Sequence, residues 1–302
     1  MAQKPTIYKP IIQEGIHNHV GDTFREMIDI WHEMGFIKLV KTTCPHVWLN
    51  KPGDVLLYDR PTLQWLDNIG QKITYNMALF GNPAPPLTNN NNNFPWIFWG
   101  RRPRLLHNKT KHIKNYNERT IESVFIGKIE NEVQLKYRKT DWENVIELFE
   151  MQMGGTGYKY SQTEYLEILS KSKYGLCIRG FGPKCNREIE LLALGVVPLF
   201  TSYVSTSYFE PLINGKHFFL ISKPSDITDI INNTTQEEWE KMSMEGRLWY
   251  ERNCSPKGSF DTTMKIVNGF KNKENNNMIF VNEERLLLSG PPHGSSLGNK
   301  IL

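Results

Sequence analysis

Short apolar runs alternate with amphipathic segments through the first eighty residues. An apolar run at 6–12 precedes a polar loop, and the next segment places its apolar residues on one helical face: Phe24, Met27, Ile28 and Trp31. Gly35 follows as a helix-ending signal. The later apolar runs have strand lengths: 36–40, 55–58, 61–66 and 75–80. This alternation predicts a small α/β domain at 1–80.

Residues 81–95 interrupt the alternation with four prolines and five consecutive asparagines, which favour neither helix nor strand. We predict an interdomain linker there, a second domain at 96–270, and a tail at 271–302 that returns to the first domain or lacks fixed structure. Within the second domain the pattern predicts strands at 123–126, 174–178 and 196–200. It predicts helices at 142–151, from the capping pair Ser161 and Glu164 to 171, and at 187–194, 226–231 and 236–253.

Composition narrows the class of protein. The 302 residues are 39% hydrophobic, enough for a large core, and the formal net charge of +4 is too small for a dedicated nucleic-acid binder. A basic cluster is either a contact for an anionic ligand or a solvated loop: Arg101, Arg102, Arg104, Lys109, Lys111, His112 and Lys114. The apolar stretch 189–204 is broken by Glu190, Gly195 and Pro198, so no membrane span is predicted. Four cysteines without metal-ligand spacing, and a start unlike a signal peptide, predict a cytoplasmic location.

The segment 174–200 carries the chemistry, because it has the pattern of a buried strand, a glycine-rich basic loop, an amphipathic helix and a second buried strand. Gly180 and Gly182 permit close backbone approach, and a helix that begins near Asn186 directs free N–H groups toward the loop. Such a site suits a diphosphate.

Charged residues in this segment match that chemistry. Arg179, Lys184 and Arg187 are candidates to neutralise a departing nucleotide diphosphate. Glu190 follows Arg187 by one turn and is a candidate acceptor for two ribose hydroxyls. The alternative is a charged turn in an ordinary α/β domain, since glycine-rich turns of this type also occur in dinucleotide enzymes.

Four residues outside the segment are further candidates, each with a structural alternative. Lys128 and Arg138 either supplement the diphosphate site or are surface cations, and Tyr158 and Tyr160 either contact a base or pack. A DxD motif does not occur in the sequence, so we predict that no metal ion is required.

The motifs resemble the exostosin-like glycosyltransferases of family 47. The resemblance covers roughly 120–215 and rests on an arginine-glycine loop, an RxxE helix start and a GxxP exit: Arg179-Gly180, Arg187 with Glu190, and Gly195 with Pro198. The segments PGDVLLYDRP and ALFGNP are also similar to the small exostosin-like enzymes of large algal viruses (chloroviruses), a group that includes a xylosyltransferase.

The resemblance implies a GT-B fold, in which two Rossmann-like domains face a central cleft. It also implies a UDP-sugar donor in the second domain, with UDP-xylose as the best candidate, and inversion at the anomeric carbon. The implied acceptor is an oligosaccharide or glycoprotein, in viral glycan synthesis in the host cytoplasm. Many family members are longer and enter the secretory pathway, a departure that bears on the setting and the acceptor and not on the chemistry.

Inversion requires a base that removes the acceptor's proton, and in GT-B enzymes that base usually comes from the first domain. The candidates are Asp22, Asp59 and His19, whose alternatives are helix capping, an ion pair with Arg60 and an ordinary loop position. The competing class of protein is a non-catalytic carbohydrate- or polyanion-binding protein with a GT-B shell, which would use the basic cluster at 101–114.

Overall fold

The computed structural model describes residues 3–11, 24–43, 46–58, 74–80, 93–96, 99–154, 157–180, 182–206 and 208–271. These residues form two β-sheets with helices around them. Both sheets are rich in parallel pairs, so the predicted α/β fold is confirmed.

The first sheet has the order β2-β1-β3-β4-β5-β6. Its strands are β1 Thr6–Pro10, β2 Lys38–Thr42, β3 Trp48–Leu49, β4 Val55–Tyr58, β5 Met77–Phe80 and β6 Asn93–Pro95. All pairs are parallel except those of β3, which runs antiparallel to β1 and to β4. Helix α1, Phe24–Glu33, is the crossover between β1 and β2, and Gly35 with a φ of 74° follows its end.

The linker predicted at 81–95 overlaps this sheet. Residues 81–92 lie outside the described residues, but Asn93–Pro95 pairs in parallel with β5 as β6. Proline is tolerated in a strand at a sheet edge, where the backbone groups on one side have no neighbouring strand to pair with. Pairing with β5 therefore makes a strand of a segment whose composition alone predicted none.

The second sheet is parallel throughout and has the order β11-β10-β9-β7-β8. Its strands are β7 Ile121–Ile129, β8 Leu148–Met153, β9 Ser172–Cys177, β10 Val197–Thr201 and β11 Phe219–Ile221. From β7 the chain adds β8 on one side and then β9, β10 and β11 on the other. The crevice between β7 and β9 is thus the switch point of the sheet, where ligands bind in open α/β folds.

The helices that accompany this sheet are α2 Pro103–Lys109, α3 Glu132–Arg138, α4 Gln162–Ser170, α5 Asn186–Ala193, α6 Pro224–Asn233, α7 Gln236–Asn253 and α8 Pro256–Lys271. Helix α4 begins with the predicted capping box: the Ser161 hydroxyl accepts from Glu164 N at 3.3 Å, and the Glu164 carboxylate accepts from Ser161 N at 2.8 Å. No described helix is long and apolar enough to cross a membrane.

The helix predicted at 142–151 is wrong. A single 3₁₀ turn occupies Trp142–Asn144, and the chain then forms β8, which pairs with β7 from Val124 opposite Leu148 to Ile129 opposite Met153. The apolar spacing of this short segment fits either a helix or a strand, and pairing with β7 decides between them.

The last helix of the described residues connects the two sheets. Helix α8 packs on α1, where the Trp31 indole N–H donates to Pro256 O at 2.8 Å and to Ser259 Oγ at 3.0 Å. The Trp96 indole N–H donates to Thr263 Oγ1 at 2.8 Å. One buried apolar cluster contains Ile7 and Leu57 beside Cys177 and Phe200, so side chains from both sheets share a core.

Candidate functional site

A cavity of about 430 Å³ opens at the carboxyl ends of β7 and β8, beside the first turn of α5. It is lined by Arg101, Arg102, Ile126, Gly127, Lys128, Glu130, Gln134, Arg138, Gln152, Tyr158, Lys159, Tyr160, Ser161, Gln162, Tyr165, Cys185, Asn186, Arg187 and Glu190. Six of these side chains are cationic and two are carboxylates. The cavity therefore favours an anionic ligand.

The loop between β9 and α5 is compact because its own residues pack on one another. A Cβ at Gly180 would lie 2.4 Å from Cys185 Sγ, so only glycine fits there without a shift. Glu188 then accepts a hydrogen bond from Cys185 N at 2.6 Å, which caps the start of α5. The positive end of α5 is held at the cavity in this way, because Cys185, Asn186 and Arg187 all line it.

Two buried arginines bridge the crevice between β7 and the segment after β9. Arg187 is 9% exposed and donates from Nη2 to Ile126 O, while Arg138 is 7% exposed and donates to Lys128 O and, at 3.3 Å, to Arg179 O. Both guanidinium groups pack on Phe125, with their Cζ atoms 4.3 Å and 5.7 Å from the ring centroid. Burial and the neighbouring Arg187 charge lower the pKa of Arg138 to about 10, so both remain cationic at neutral pH.

The hydrogen-bonding capacity of Arg187 is incompletely used. Its Nε and Nη1 atoms are buried and have no hydrogen-bond partner in the described part of the chain. A buried charged donor without an acceptor is costly, and two buried like charges on one ring add to that cost. An anion in the cavity would offset both costs.

Three side chains meet at the rim of the cavity. The ring of Tyr158 lies 4.2 Å from Lys128 Nζ and 5.2 Å from Arg101 Cζ, so it contacts cations from two distant segments. Lys128 also pairs with Glu130 at 3.5 Å. These contacts hold positive charge at the cavity.

Glu190 is the buried carboxylate of the site, with 2% of its surface exposed. Its Oε1 accepts from Arg101 N at 2.8 Å and from Gln162 Nε2 at 3.3 Å. Burial raises the pKa of Glu190. Its position one turn after Arg187 brings both side chains to the cavity, as the helical spacing predicted.

Tyr160 lines the cavity on the β8 side. Its hydroxyl donates to Glu150 Oε1 at 2.6 Å, and this hydrogen bond raises the pKa of Tyr160. Lys159 Nζ contacts the same carboxylate oxygen at 2.6 Å. The 158–160 segment is thus fixed to β8 through Glu150.

The structure brings together seven of the residues that the sequence named as candidates for the donor site: Lys128, Arg138, Tyr158, Tyr160, Asn186, Arg187 and Glu190. Arg179, Gly180, Gly182 and Lys184 lie outside the lining of the cavity. The Arg179 guanidinium stacks on Tyr137 at 4.8 Å, and Lys184 Nζ lies 4.7 Å from the Tyr208 ring centroid. Their contact with a ligand stays a prediction.

Lys128 and Arg138 differ in detail from the sequence interpretation. Lys128 lies inside β7, which extends beyond the strand predicted at 123–126, and its side chain is 11% exposed. Arg138 is buried at the end of α3, so it is not the surface cation that was one of its two interpretations. The candidate bases Asp22, Asp59 and His19 lie outside the described residues and stay predictions.

Sequence reasoning missed the polar residues that reach the cavity from α4, and it named Arg101 as part of a basic cluster but not as a partner of Glu190. Gln162 and Tyr165 start α4, and Arg101 offers its backbone N–H to Glu190. The capping signal at Ser161 located the start of α4, but nothing in it specified that α4 points this end at the cavity. Only the packing of α4 against α5 does so.

The basic cluster at 101–114 is divided between two roles. Arg101 and Arg102 line the cavity, whereas Arg104 forms a bidentate pair with Glu33 at 2.7 and 2.8 Å, and Lys109 pairs with Glu167 at 2.7 Å. The pairing of Arg104 and Lys109 weakens the interpretation of this cluster as a polyanion-binding surface.

Comparisons with known proteins give low similarity. No protein-family model matches the chain, and no curated protein sequence matches it. Among solved structures, the C-terminal domain of a glycosyl transferase group 1 family protein (LpcC) from Francisella tularensis is 11% identical, with a TM-score of 0.32 over 52% of this chain and 95% of that one.

Two structures of TarM give similar values. A variant of S. aureus TarM, in complex with fondaparinux, alpha-GlcNAc-glycerol and UDP, is 12% identical with a TM-score of 0.39, over 72% of this chain and 44% of that one. Another TarM structure is 12% identical with a TM-score of 0.39, over 86% and 50%. The chain thus spans about half the length of TarM. We base the proposed function on the geometry of the site.

Proposed function

We propose that this protein is a glycosyltransferase of the GT-B type that binds a nucleoside diphosphate sugar in the cavity between β7, β8 and α5. The observation that carries the proposal is the pair of buried arginines at the switch point of a parallel sheet: Arg138 at the end of α3 and Arg187 at the start of α5. An anionic diphosphate there would accept from Arg187 and would face the positive end of α5.

Other parts of the nucleotide find matching chemistry around this point. Glu190 is a buried acceptor, suited to ribose hydroxyls, on the same face of α5 as Arg187. Tyr158 and Tyr160 supply aromatic surface on the β8 side of the cavity. The finer assignment, a UDP-sugar and specifically UDP-xylose, follows the exostosin-like resemblance.

The proposed reaction is an inverting displacement. The acceptor oxygen forms a bond to the anomeric carbon while the bond to the phosphate oxygen breaks, and the diphosphate leaves with the electron pair. A base from the first domain, with Asp22, Asp59 and His19 as candidates, takes the proton of the acceptor hydroxyl. The chain's contribution at the other end is electrostatic, because Lys128, Arg138 and Arg187 stabilise the charge that develops on the leaving group.

The acceptor in this proposal is an oligosaccharide or glycoprotein, and the setting is the cytoplasm, of a host cell if the chain is viral. We propose that the transfer needs no metal ion, because arginine and lysine side chains supply the neutralising charge. The choice of sugar depends on few contacts.

Nucleotide binding tests the proposal directly. UDP should raise the melting temperature of the protein, because a ligand that binds only the folded state adds about 2.7 kcal/mol of stability at a hundred times its Kd. GDP and ADP should raise it less, and EDTA should not change the effect of UDP. A melting temperature that no nucleoside diphosphate shifts would overturn the proposal.

Site variants make this test specific. Arg187→Ala should weaken UDP binding by about 10–100-fold, the range for hydrogen bonds to charged groups. Lys257→Ala is the matched control, since Lys257 is an exposed cation that pairs with Asp261 one turn further along α8. The melting temperature of each unliganded variant separates a binding defect from a folding defect.

A further inference from the structure

We infer that Asn186 is a positioning residue: it fixes the segment Trp99–Arg101, here named the connector, and the connector holds Glu190 in place for a nucleotide ribose. This inference rests on the proposed function. It gives Asn186 a task beyond lining the donor cavity.

The first observation is the direction of the Asn186 side chain. Its Nδ2 donates to Trp99 O at 3.0 Å. The amide at the start of α5 is therefore engaged with a backbone carbonyl 87 residues away in sequence. This hydrogen bond joins α5 to the chain that leads out of the first sheet.

The second observation is that the connector binds the carboxylate of the site. Arg101 N donates to Glu190 Oε1 at 2.8 Å, only two residues after Trp99. Gly100 lies between these two contacts, and a Cβ there would be 2.9 Å from Glu190 Cγ. The connector therefore touches Glu190 closely enough that a displacement of one would displace the other.

The third observation is that the far side of the connector is anchored. The Trp99 ring packs edge-on against Trp96, with centroids 4.6 Å apart, and against Trp31 at 6.5 Å. Trp96 in turn donates to Thr263 in α8. The tryptophan contacts thus hold the connector on one side, and the Asn186 hydrogen bond holds it against α5, where it meets Glu190.

The chemistry of the ligand supplies a selective readout. A correctly placed carboxylate accepts from ribose hydroxyls, and a hydrogen bond to a charged group changes affinity by about tenfold or more. If Glu190 binds the 2′-hydroxyl, the protein should bind UDP more tightly than 2′-deoxy-UDP. The ratio of the two dissociation constants then measures how well Glu190 is positioned, separately from phosphate binding.

The experiment is calorimetric titration of the full chain with UDP and with 2′-deoxy-UDP. The wild type should prefer UDP by about tenfold, and Glu190→Gln should lose most of that preference. Asn186→Ala and Asn186→Asp should bring the ratio to within about threefold of one, although Glu190 is still present. Asp at the first helical position is favourable for α5, so Asn186→Asp tests the lost donor in a folded protein.

Asn233→Ala is the matched control. Asn233 also donates from Nδ2 to a backbone carbonyl, Asp229 O at 2.7 Å, but it does so in α6, away from the cavity. The ratio of the dissociation constants for 2′-deoxy-UDP and UDP should be the same in Asn233→Ala as in the wild type.

The outcomes separate the two proposals. If the wild type does not bind UDP, the UDP part of the proposed function fails, and the positioning role that rests on it fails as well. If it binds UDP and prefers it over the deoxy form while both Asn186 variants keep that preference, only the positioning role is overturned. Equal binding of the two nucleotides by the wild type overturns the positioning role as well, because Glu190 then has no ribose hydroxyl to recognise.

Discussion

Glu188 combines deep burial with an incomplete set of hydrogen bonds. Its side chain is 0% exposed, one oxygen accepts from Cys185 N, and Oε1 has no hydrogen-bond partner among the described residues. Burial raises the pKa of Glu188 to about 7, although the charge of Arg187 acts in the opposite direction. Near neutral pH this carboxyl at the start of α5 therefore changes its charge.

The sign of the effect on stability follows from the two pKa values. In the unfolded chain the carboxyl ionises near 4.5, and in the folded protein near 7, so the folded state binds the proton more tightly. The contribution of Glu188 to stability is fully present below pH 4.5 and is lost as pH rises to 7. A shift of this size corresponds to about 3 kcal/mol at most.

We therefore expect Glu188→Gln to stabilise the protein more at pH 8 than at pH 5, relative to the wild type. Glutamine keeps an acceptor for Cys185 N but does not ionise. Urea denaturation at the two pH values measures the difference.

Glu164→Gln is the control for this pH effect. Glu164 occupies the same capping position in α4, and hydrogen bonds from Ser161 lower its pKa. Its contribution is lost only as pH falls below the usual carboxyl range, so the effect of Glu164→Gln should be equal at pH 5 and pH 8. If Glu188→Gln, like Glu164→Gln, changes stability by the same amount at pH 5 and at pH 8, the assignment of an elevated pKa to Glu188 is refuted.

Single residues also show where sequence reasoning stops. The spacing of Arg187 and Glu190 predicted that both reach one site, and they do. Nothing local predicted the full burial of Glu188, because that depends on what covers its side chain. Helical periodicity gives the direction of a side chain, whereas its hydrogen-bond partners come from segments far away in sequence.

At the scale of elements, the junction of α7 and α8 depends on one glycine. A Cβ at Gly258 would lie 2.1 Å from Glu251 O and 2.6 Å from Arg252 C, both backbone atoms of α7. Backbone atoms cannot move aside as the end of a flexible side chain does. The two helices can therefore approach this closely only because residue 258 lacks a side chain.

Gly258→Ala should accordingly lower the free energy of unfolding by about 1–3 kcal/mol or more, the usual cost of overpacking. Gly157→Ala is the control, because a Cβ added at Gly157 would have no described atom within 4 Å. Its effect should stay within about 0.5 kcal/mol. Chemical denaturation of both variants measures the difference. A neutral Gly258→Ala would mean that α7 and α8 are not packed this closely.

The elements that sequence predicted well have strong local signals. The capping box of Ser161 and Glu164 starts α4, and the pattern over 174–200 gives β9, α5 and β10 in order. The prediction of a helix at 142–151 failed because the local pattern there is ambiguous and pairing with β7 decides the conformation. Asn93–Pro95, which composition assigned to the linker, forms a strand for the same reason, through pairing with β5.

At the scale of the whole molecule, the two sheets are joined by more than the chain between them. Trp31 in α1 donates two hydrogen bonds to α8, and the apolar cluster contains residues of both sheets. The alternation of apolar and amphipathic segments predicted two α/β units, but it gave no sign that a helix at the end of the second unit covers α1. That arrangement depends on complementary surfaces which no short segment encodes.

The shared core predicts that the two sheets unfold together. Pulse-labelling hydrogen exchange at increasing urea concentrations, with peptides from 38–58 and from 172–201, should show loss of protection at the same midpoint. Trp31→Phe removes both hydrogen bonds to α8 and part of the packing, so it should lower both midpoints together, at a cost of about 2 kcal/mol. Lys257→Ala, on the exposed side of α8, should move neither. Two separate midpoints, with only that of the first sheet lowered by Trp31→Phe, would show that α8 covers α1 without coupling the sheets.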